Sequence, residues 1–487
     1  MKNTKLVQSV YSRDASRIVG NVSRVYNPTS IEEIQRIINE NTEDIIPRGS
    51  GSNLVGGCVP NNSVVVDMRK LNRVINFDAN RKTAIVESGI TIKELNEKLK
   101  QAYFEFPIEF NELSTIGGMA AMNTFGEKSL RYGAFKDCID ELEFVNGKAE
   151  IIKLGRADLA EVCGMEGTTG IITKIKLRLM KIPDRSVSIL QSDSIDEILS
   201  VCRKLKNEAE VVTIKFYSKK ASLILGLPEK YNVFIFFDSS RGKINGEDYN
   251  NLIKKIKMEY YFLYNYGYYD SDDARFYYDK LKDFILHLEG ISCPFIGDLG
   301  AAIINPFFKP NEISQKMSVM EFMKKTGAKK GRYGIGIKRK YLVDPLDKKI
   351  YNRIKKRHDP QEKFNKGKLI DFDLSFERKI EELPIEKIKS PETQKIEEKS
   401  VNENKIISPP DNKLTNDLTL EKIEKPIPRN MDLIKNIMTN SIPENGKTIV
   451  KDNLERQPNN NNKEKDLIKS IMFNKLKDKK EGSNGNK

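Results

Sequence analysis

"IIPRGSGSNLVGG", running from Ile45 to Gly57, is the stretch whose reading decides the fold. Glycines at 49, 51, 56 and 57 and the small polar residues Ser50, Ser52 and Asn53 follow an apolar pair and a proline. Such a loop brings backbone close to a ligand, often a phosphate. A Walker loop would end in Gly-Lys-Ser/Thr, whereas Gly57 is followed by Cys58 and Val59. A Rossmann fingerprint would run GxGxxG straight into a helix. Here the GxG of Gly49 and Gly51 has no third glycine at the right spacing, and it leads into "CVPNNSVVVDM", a turn and then a strand. Two readings remain: a nest of successive backbone N–H groups that cradles an anion, with Ser and Asn side chains as extra donors, or an ordinary glycine-rich turn.

Two further small-residue loops favour the nest. "STIGGMAAMNTFGEKSLRYGAF" starts at Ser114, and "GMEGTTGIITKIKLRL" starts at Gly164 and opens an apolar strand. Three such loops on one scaffold suit a long dinucleotide wrapped by the chain. The scaffold itself reads as mixed α and β. "NPTSIEEIQRIINEN" predicts a helix with a Ser30–Glu33 capping box and an Ile31, Ile34, Ile37, Ile38 face. "NSVVVDM" and "KTAIVESG" read as strands, and "TIKELNEKLKQ" as a helix opened by a Thr91–Glu94 box.

Composition sets the outer limits. The 487 residues suffice for two or three domains, and no apolar run is long enough to span a membrane. The N-terminus lacks a signal-peptide pattern, and Cys58, Cys138, Cys163, Cys202 and Cys293 are scattered singly, which together suggest reduced thiols in a cytoplasm. All 18 tyrosines precede Leu369, and the Lys-, Glu- and Asn-rich remainder has too little bulky apolar surface to offset its ordering entropy. The +14 net charge sits almost wholly on the first 370 residues, because 23 basic and 22 acidic residues nearly cancel beyond them. A basic body suits anionic small molecules as well as nucleic acid, and no nucleic-acid motif accompanies it. Within the tail, "MDLIKNIM" (431–438) and "KDLIKSIM" (465–472) repeat a short amphipathic helical pattern, a candidate pair of docking motifs or a chance similarity.

The three loops, in this order, resemble the FAD-binding domain of the p-cresol methylhydroxylase / vanillyl-alcohol oxidase superfamily, most of all its glycolate oxidase and D-lactate dehydrogenase branch. "PRGSGSNLVGG", "VDMRKLNRVINFDANRKTAIVESGITIKELNEKL", "TIGGMAAMN", "RYG", "GMEGTTGIITKIKLRL" and the closing "RHDPQEKFNKGKLI" carry the likeness. It is dense over residues 20–183, thin but collinear to about 370, and absent from the tail. The resemblance implies an α+β chain. A PCMH-type FAD-binding domain of two α/β subdomains (1–183) is followed by an α+β substrate (cap) domain (184–370) and a disordered charged tail (371–487).

It also implies site residues. Pro47, Arg48, Gly49, Ser50, Gly51, Ser52 and Asn53 would hold the FAD pyrophosphate. Gly117, Gly118 and Asn123 would run along the pyrophosphate and isoalloxazine. Tyr132 and Gly133 would flank the flavin, and Gly167, Thr168 and Ile172 the adenine-ribose end. Phe125 replaces a small residue usual after the Asn and would narrow the flavin's approach. Neither loop carries a histidine, so the flavin is expected to be held non-covalently.

The metal-binding histidines of that branch are missing. Where its second domain carries H-x-GDGN-x-H and EHGIG-x-x-K, this chain has Phe295, Gly297-Asp298, Ala302 and then Arg332-Tyr333-Gly334-Ile335-Gly336. Removing hydride from a hydroxy acid needs a cation for the carboxylate, a base for the O–H and an acceptor for the hydride. Arg332, Lys338 and Tyr333 are the candidates for the first two roles, with no metal. The bland alternative is a solvated basic face. The expected activity is therefore FAD-linked oxidation of a small anionic alcohol or 2-hydroxy acid. The competing expectation is a catalytically degenerate FAD-binding subunit or scaffold that works through its tail. An iron–sulfur electron-transfer subunit or another protein docked by the tail is the expected partner. Nucleic acid is not.

Overall fold

The computed structural model describes residues 9–108 and 111–372. The chain divides into two units, Met1–Leu414 and Thr415–Lys487, and the second lies wholly outside the described residues, as do the two amphipathic motifs of the tail.

The first half is built mainly on two sheets, beside a two-stranded antiparallel pair of Phe104–Glu105 with Met180–Lys181. A three-stranded parallel sheet has the order Asn21–Tyr26, Asn61–Asp67, Ile45–Arg48. Its central strand buries Val64, Val65 and Val66 completely, as expected of a strand covered on both faces. The predicted helix Ile31–Glu40 packs Ile34, Ile37 and Ile38 against it. Ser30 Oγ accepts from the Glu33 amide, but the Glu33 carboxylate reaches back to Thr29 N (2.7 Å), one residue before the expected partner. The box at Thr91 closes as read, with both halves formed at the start of Ile92–Lys100. The second sheet is antiparallel, in the order Val74–Asp78, Thr83–Glu87, Gly170–Arg178, Ile139–Asn146, Ile151–Gly155.

The second half is built on one larger antiparallel sheet. Its central order is Ser186–Ser192, Tyr231–Phe237, Val211–Tyr217, Phe295–Asp298, Ile303–Phe308. Helices Ile195–Leu205, Leu281–Gly290 and Ile313–Lys325 share one core with it, and Tyr249, Leu263 and Tyr268 share a second. The tyrosine-rich run is split accordingly. Tyr268 is core, whereas Tyr261, Tyr266 and Tyr269 are exposed.

After the helix Pro345–His358 the chain returns to the first half. Ile45 N donates to Lys363 O (2.7 Å), Asn365 N donates to Ile45 O (3.1 Å), and Phe364 is fully buried among Ile34, Ile45 and Val64. This return places Asn365 beside the loop that follows Ile45. The mixed α+β architecture agrees with the sequence reading. Among the described residues no helix is long and apolar enough to cross a membrane.

Candidate functional site

The loop after Ile45–Arg48 is braced from within. Asn53 Oδ1 accepts from Val55 N (2.8 Å) and Gly57 N (2.9 Å), while Ser52 Oγ contacts Ser114 Oγ (3.1 Å). Gly51 has φ +73, and a Cβ at Gly49 would strike Thr115 Oγ1, so the first and second small-residue loops touch at a point only glycine permits. Among the described residues the peptide N–H groups of Ser50 to Leu54 donate to no protein acceptor. Five successive peptide N–H groups are thus left without a protein acceptor, as an anion-binding loop requires.

These amides open onto a cavity of about 1000 Å³, its mouth included. All three loops contribute walls: Pro47 to Leu54, then Ser114, Thr115, Gly117 and Gly118, then Glu166, Gly167, Gly170 and Ile172. Three buried polar atoms on wall residues have no hydrogen-bond partner among the described residues, Ser88 Oγ, Arg332 Nε and Asn365 Oδ1. Asn365 is fixed by donating Nδ2 to Glu166 O (2.7 Å). An anion nest, glycines at the points of closest approach and orphaned polar atoms fit the pyrophosphate and polar edges of FAD.

Several expected contacts lie elsewhere. Asn123 is a left-handed helix cap whose Oδ1 accepts from Lys136 N (2.9 Å). Tyr132 donates its hydroxyl to Asp238 (2.7 Å), and a Cβ on Gly133 would sit 2.6 Å from Asp137 Oδ2. Thr168 is buried and spends its hydroxyl on Met165 O (2.6 Å). None of the four lines the cavity. Phe125 does not narrow it either, since its ring lies under the Arg275 guanidinium at 4.6 Å.

The Gly334–Gly336 loop rests on the cradle. Ile337 N donates to Val55 O (2.8 Å), and the Glu166 carboxylate accepts from Ile335 N and Gly336 N, both at 2.7 Å. Asp273 holds the preceding turn by accepting from Arg332 N and from Tyr333 N (3.4 Å), and Arg339 is ion-paired with Asp272 and Asp273 behind it. Arg332 and Tyr333 therefore stand on the cavity wall. They also line a second chamber of about 1760 Å³, open to solvent, which shares Ser52, Leu54, Arg332 and Tyr333 with the first. Lys338 lines neither and lies 3.8 Å from Asp270.

The second chamber holds groups that the sequence reading did not single out. Arg332 Nη1 donates to Glu127 Oε1 (2.6 Å), with Asp298 Oδ2 at 3.6 Å from Nη2. Lys215 Nζ donates to Glu259 Oε1 (2.8 Å) and lies 3.7 Å from Glu127 Oε2. Tyr217 donates to Glu259 Oε2 (2.9 Å), and the Tyr260 and Tyr333 hydroxyls are 2.6 Å apart. Burial pushes the Tyr333 phenol up to about 12, against a lowering by Tyr260 and Arg332. Burial thus outweighs the neighbouring guanidinium at this phenol. Burial raises Glu259 above the usual carboxylate range and carries Asp298 to about 6. Arg332 and Lys215 more than cancel burial at Glu127, which is lowered.

Both histidines are far from this chemistry. His287 stacks on Phe322 at 4.8 Å, and His358 is buried with Nε2 2.7 Å from Glu161. Cys58 reaches the first cavity, but burial carries its thiol up to about 12.

The site thus pairs a glycine-lined cradle with an adjoining chamber of buried charges and phenols. Residues 22–155 match the family described as "FAD binding domain". The chain is 36% identical over 173 residues to the Arabidopsis thaliana mitochondrial D-lactate dehydrogenase [cytochrome], covering 33% of this chain and 30% of that protein. It is 30% identical over 197 residues to the glycolate oxidase subunit GlcD of Bacillus subtilis (37% and 42%). With a D-2-hydroxyglutarate dehydrogenase of Xanthomonas citri it shares 27% over 228 residues (43% and 48%). The matches thus span less than half the length of each of these relatives. Among solved structures, an alkyldihydroxyacetonephosphate synthase superposes with TM-score 0.56 at 18% identity, over 75% of this chain and 81% of that one, which shows a shared fold. Residues 22–155 thus form an FAD-binding domain of the p-cresol methylhydroxylase type, distantly related to those of the hydroxy-acid dehydrogenases.

Proposed function

We propose that the protein is an FAD-dependent oxidoreductase that oxidises a small anionic alcohol or 2-hydroxy acid without the metal site of the dehydrogenases it resembles. The observation that carries this reading is the shared wall: Arg332 and Tyr333 face the cradle and the second chamber at once. Pro47 to Asn53, Gly117, Gly118, Gly167 and Ile172 hold FAD, with Ser88 and Asn365 adding polar contacts. When bound, FAD supplies the acceptor for the hydride that leaves the substrate carbon. Arg332 binds the substrate carboxylate, to which a guanidinium can present two donors. Tyr333, kept protonated and backed by Tyr260, donates to the substrate oxygen and orients it. Glu259, raised by burial on the same chamber wall, is the base assigned to the hydroxyl proton. The names of the relatives, which speak of D-lactate, glycolate and D-2-hydroxyglutarate, support 2-hydroxy acids as the substrate class. A protein partner docked through residues 431–438 and 465–472 would take the electrons onward, and an iron–sulfur subunit suits that task.

The test is the visible spectrum of the purified protein under anaerobic conditions, before and after 2-hydroxy acids are added. A flavin band that bleaches with one of them supports the enzyme. A protein that stays colourless when given FAD overturns the cofactor assignment. A flavin that no CH–OH donor reduces favours the second reading, an FAD-binding scaffold. One observation supports that reading: neither histidine of the chain lies at the cavities.

A further inference from the structure

Of the cations lining the second chamber, Arg332 and Lys215 each have a fixed carboxylate partner behind them and share a third carboxylate in front. Arg332 has Asp298, which is fully buried, and Lys215 has Glu259, whose side chain is 7% exposed. Glu127 bridges the two cations, one oxygen to each, at 2.6 and 3.7 Å. Its side chain is 36% exposed, whereas those of Arg332 and Lys215 are 7% and 6% exposed. A ligand entering the chamber therefore meets the Glu127 carboxylate before it meets either cation. The backbone beneath it is anchored, since Thr213 donates its hydroxyl to Glu127 O at 2.5 Å. Moving the carboxylate aside needs only rotation of its own side chain.

We infer that Glu127 is a resident carboxylate filling the anion position of the chamber, so that a ligand carboxylate reaches Arg332 and Lys215 only by displacing it. The inference rests on the reading of this chamber as the substrate site. The exchange is balanced in charge: one carboxylate leaves the pair of cations and another arrives, while Asp298 and Glu259 stay in place. Without Glu127 each cation keeps one carboxylate, Arg332 with Asp298 and Lys215 with Glu259, and the front position stands open to a ligand carboxylate. Glu127 thus sets specificity. It raises the concentration a carboxylate ligand needs and leaves neutral ligands unaffected, because they do not compete for the cations.

The experiment is calorimetric titration of the full chain, loaded with FAD, with oxalate, which carries two carboxylates and no oxidisable C–H bond. Glu127→Gln keeps the shape and removes the charge. It is expected to bind oxalate about 10- to 100-fold more tightly than the wild type, the weight of one charge-assisted hydrogen bond. Adding Arg332→Met to that variant should remove the gain. Glu127→Asp, which withdraws the carboxylate by one methylene, should gain affinity in the same direction and serves if the glutamine variant does not fold. Glycerol, a neutral polyol, should bind wild type and Glu127→Gln alike. Unchanged or weaker oxalate binding in either Glu127 variant, at wild-type flavin content, overturns the inference. A gain in oxalate affinity in a protein whose flavin no hydroxy acid reduces would leave this inference standing and sink only the catalytic proposal.

Discussion

Replacing Glu166 by glutamine tests whether a single carboxylate locks the second half of the chain onto the cofactor cradle. Its two oxygens accept from Ile335 N and Gly336 N, each at 2.7 Å, and the residue is 3% exposed. The loop it holds carries Arg332 and Tyr333 to the cavity. A glutamine keeps one acceptor oxygen but turns an NH2 toward the other peptide N–H, donor against donor. The loss of one hydrogen bond to a charged group is about 1.5–3 kcal/mol, and leaving a buried N–H unpaired adds to it. Burial already pushes the Glu166 carboxyl up, so the neutral amide recovers part of that cost, and a net loss of about 2 kcal/mol is expected. With an unfolding entropy of about 2.1 cal/mol/K per residue, a body of this size should lose roughly 3 °C in Tm. Scanning calorimetry of the full chain with and without FAD measures it. The FAD dissociation constant should rise about tenfold, because part of the binding free energy goes into re-seating the loop. Gly334 sharpens the test: it has φ +81, and its Cβ would lie 2.5 Å from Glu166 Oε1, so Gly334→Ala should reproduce the phenotype from the other side of the contact. A Glu166→Gln protein with wild-type Tm and wild-type FAD affinity would refute the clamp.

Phe364→Ala should cost about 3–5 kcal/mol, because the ring is fully buried among Ile34, Ile45 and Val64, and urea unfolding should show that loss in the FAD-binding half of the chain. Asp298, fully buried, sits near 6 in the folded state against 3.8 in a model peptide. The folded state therefore holds the extra proton between those values, and this residue's contribution to stability falls as pH rises through that window, by about 3 kcal/mol in all. Asp298→Asn should gain on the wild type between pH 4.5 and pH 7 in urea melts, and a constant gap would contradict the assignment. The Cys58 thiol, at about 12, is not a thiolate at neutral pH, so denaturation should release all the flavin into the filtrate of a spin column; yellow protein retained on the membrane would show a covalent link.

The cradle was legible in the sequence because backbone geometry, and not side-chain chemistry, dictates its residues. Where a Cβ at Gly49 would strike Thr115, or one at Gly117 would sit 2.6 Å from the Ser88 side chain, only glycine fits, so the loop advertises itself locally. The same logic misled at Asn123, Gly133 and Thr168. They are equally constrained, but by a helix cap, a turn and a buried hydroxyl bond that support the wall without forming it. The second chamber was illegible for the opposite reason. Glu127, Lys215, Glu259 and Arg332 come from four separate segments, no two within forty residues of each other in sequence, and only the tertiary fold brings them together. One signal was available. "VVTIKFY" is a strand with every residue buried, and a lysine at its centre must find a carboxylate or remain uncharged. Lys215 alone therefore requires an acidic partner, and the structure supplies two, Glu259 from the second half and Glu127 from the first. That demand ties the chamber to the fold: the charges that make it a ligand site are the same ones the strand needs in order to be buried, so a substitution that empties the site also strips a buried lysine of its counter-ion. Binding and stability should for this reason fall together at Glu259, whose partners Lys215 and Tyr217 are both interior. At Glu127, which faces the chamber and leaves Lys215 still paired with Glu259, they should separate.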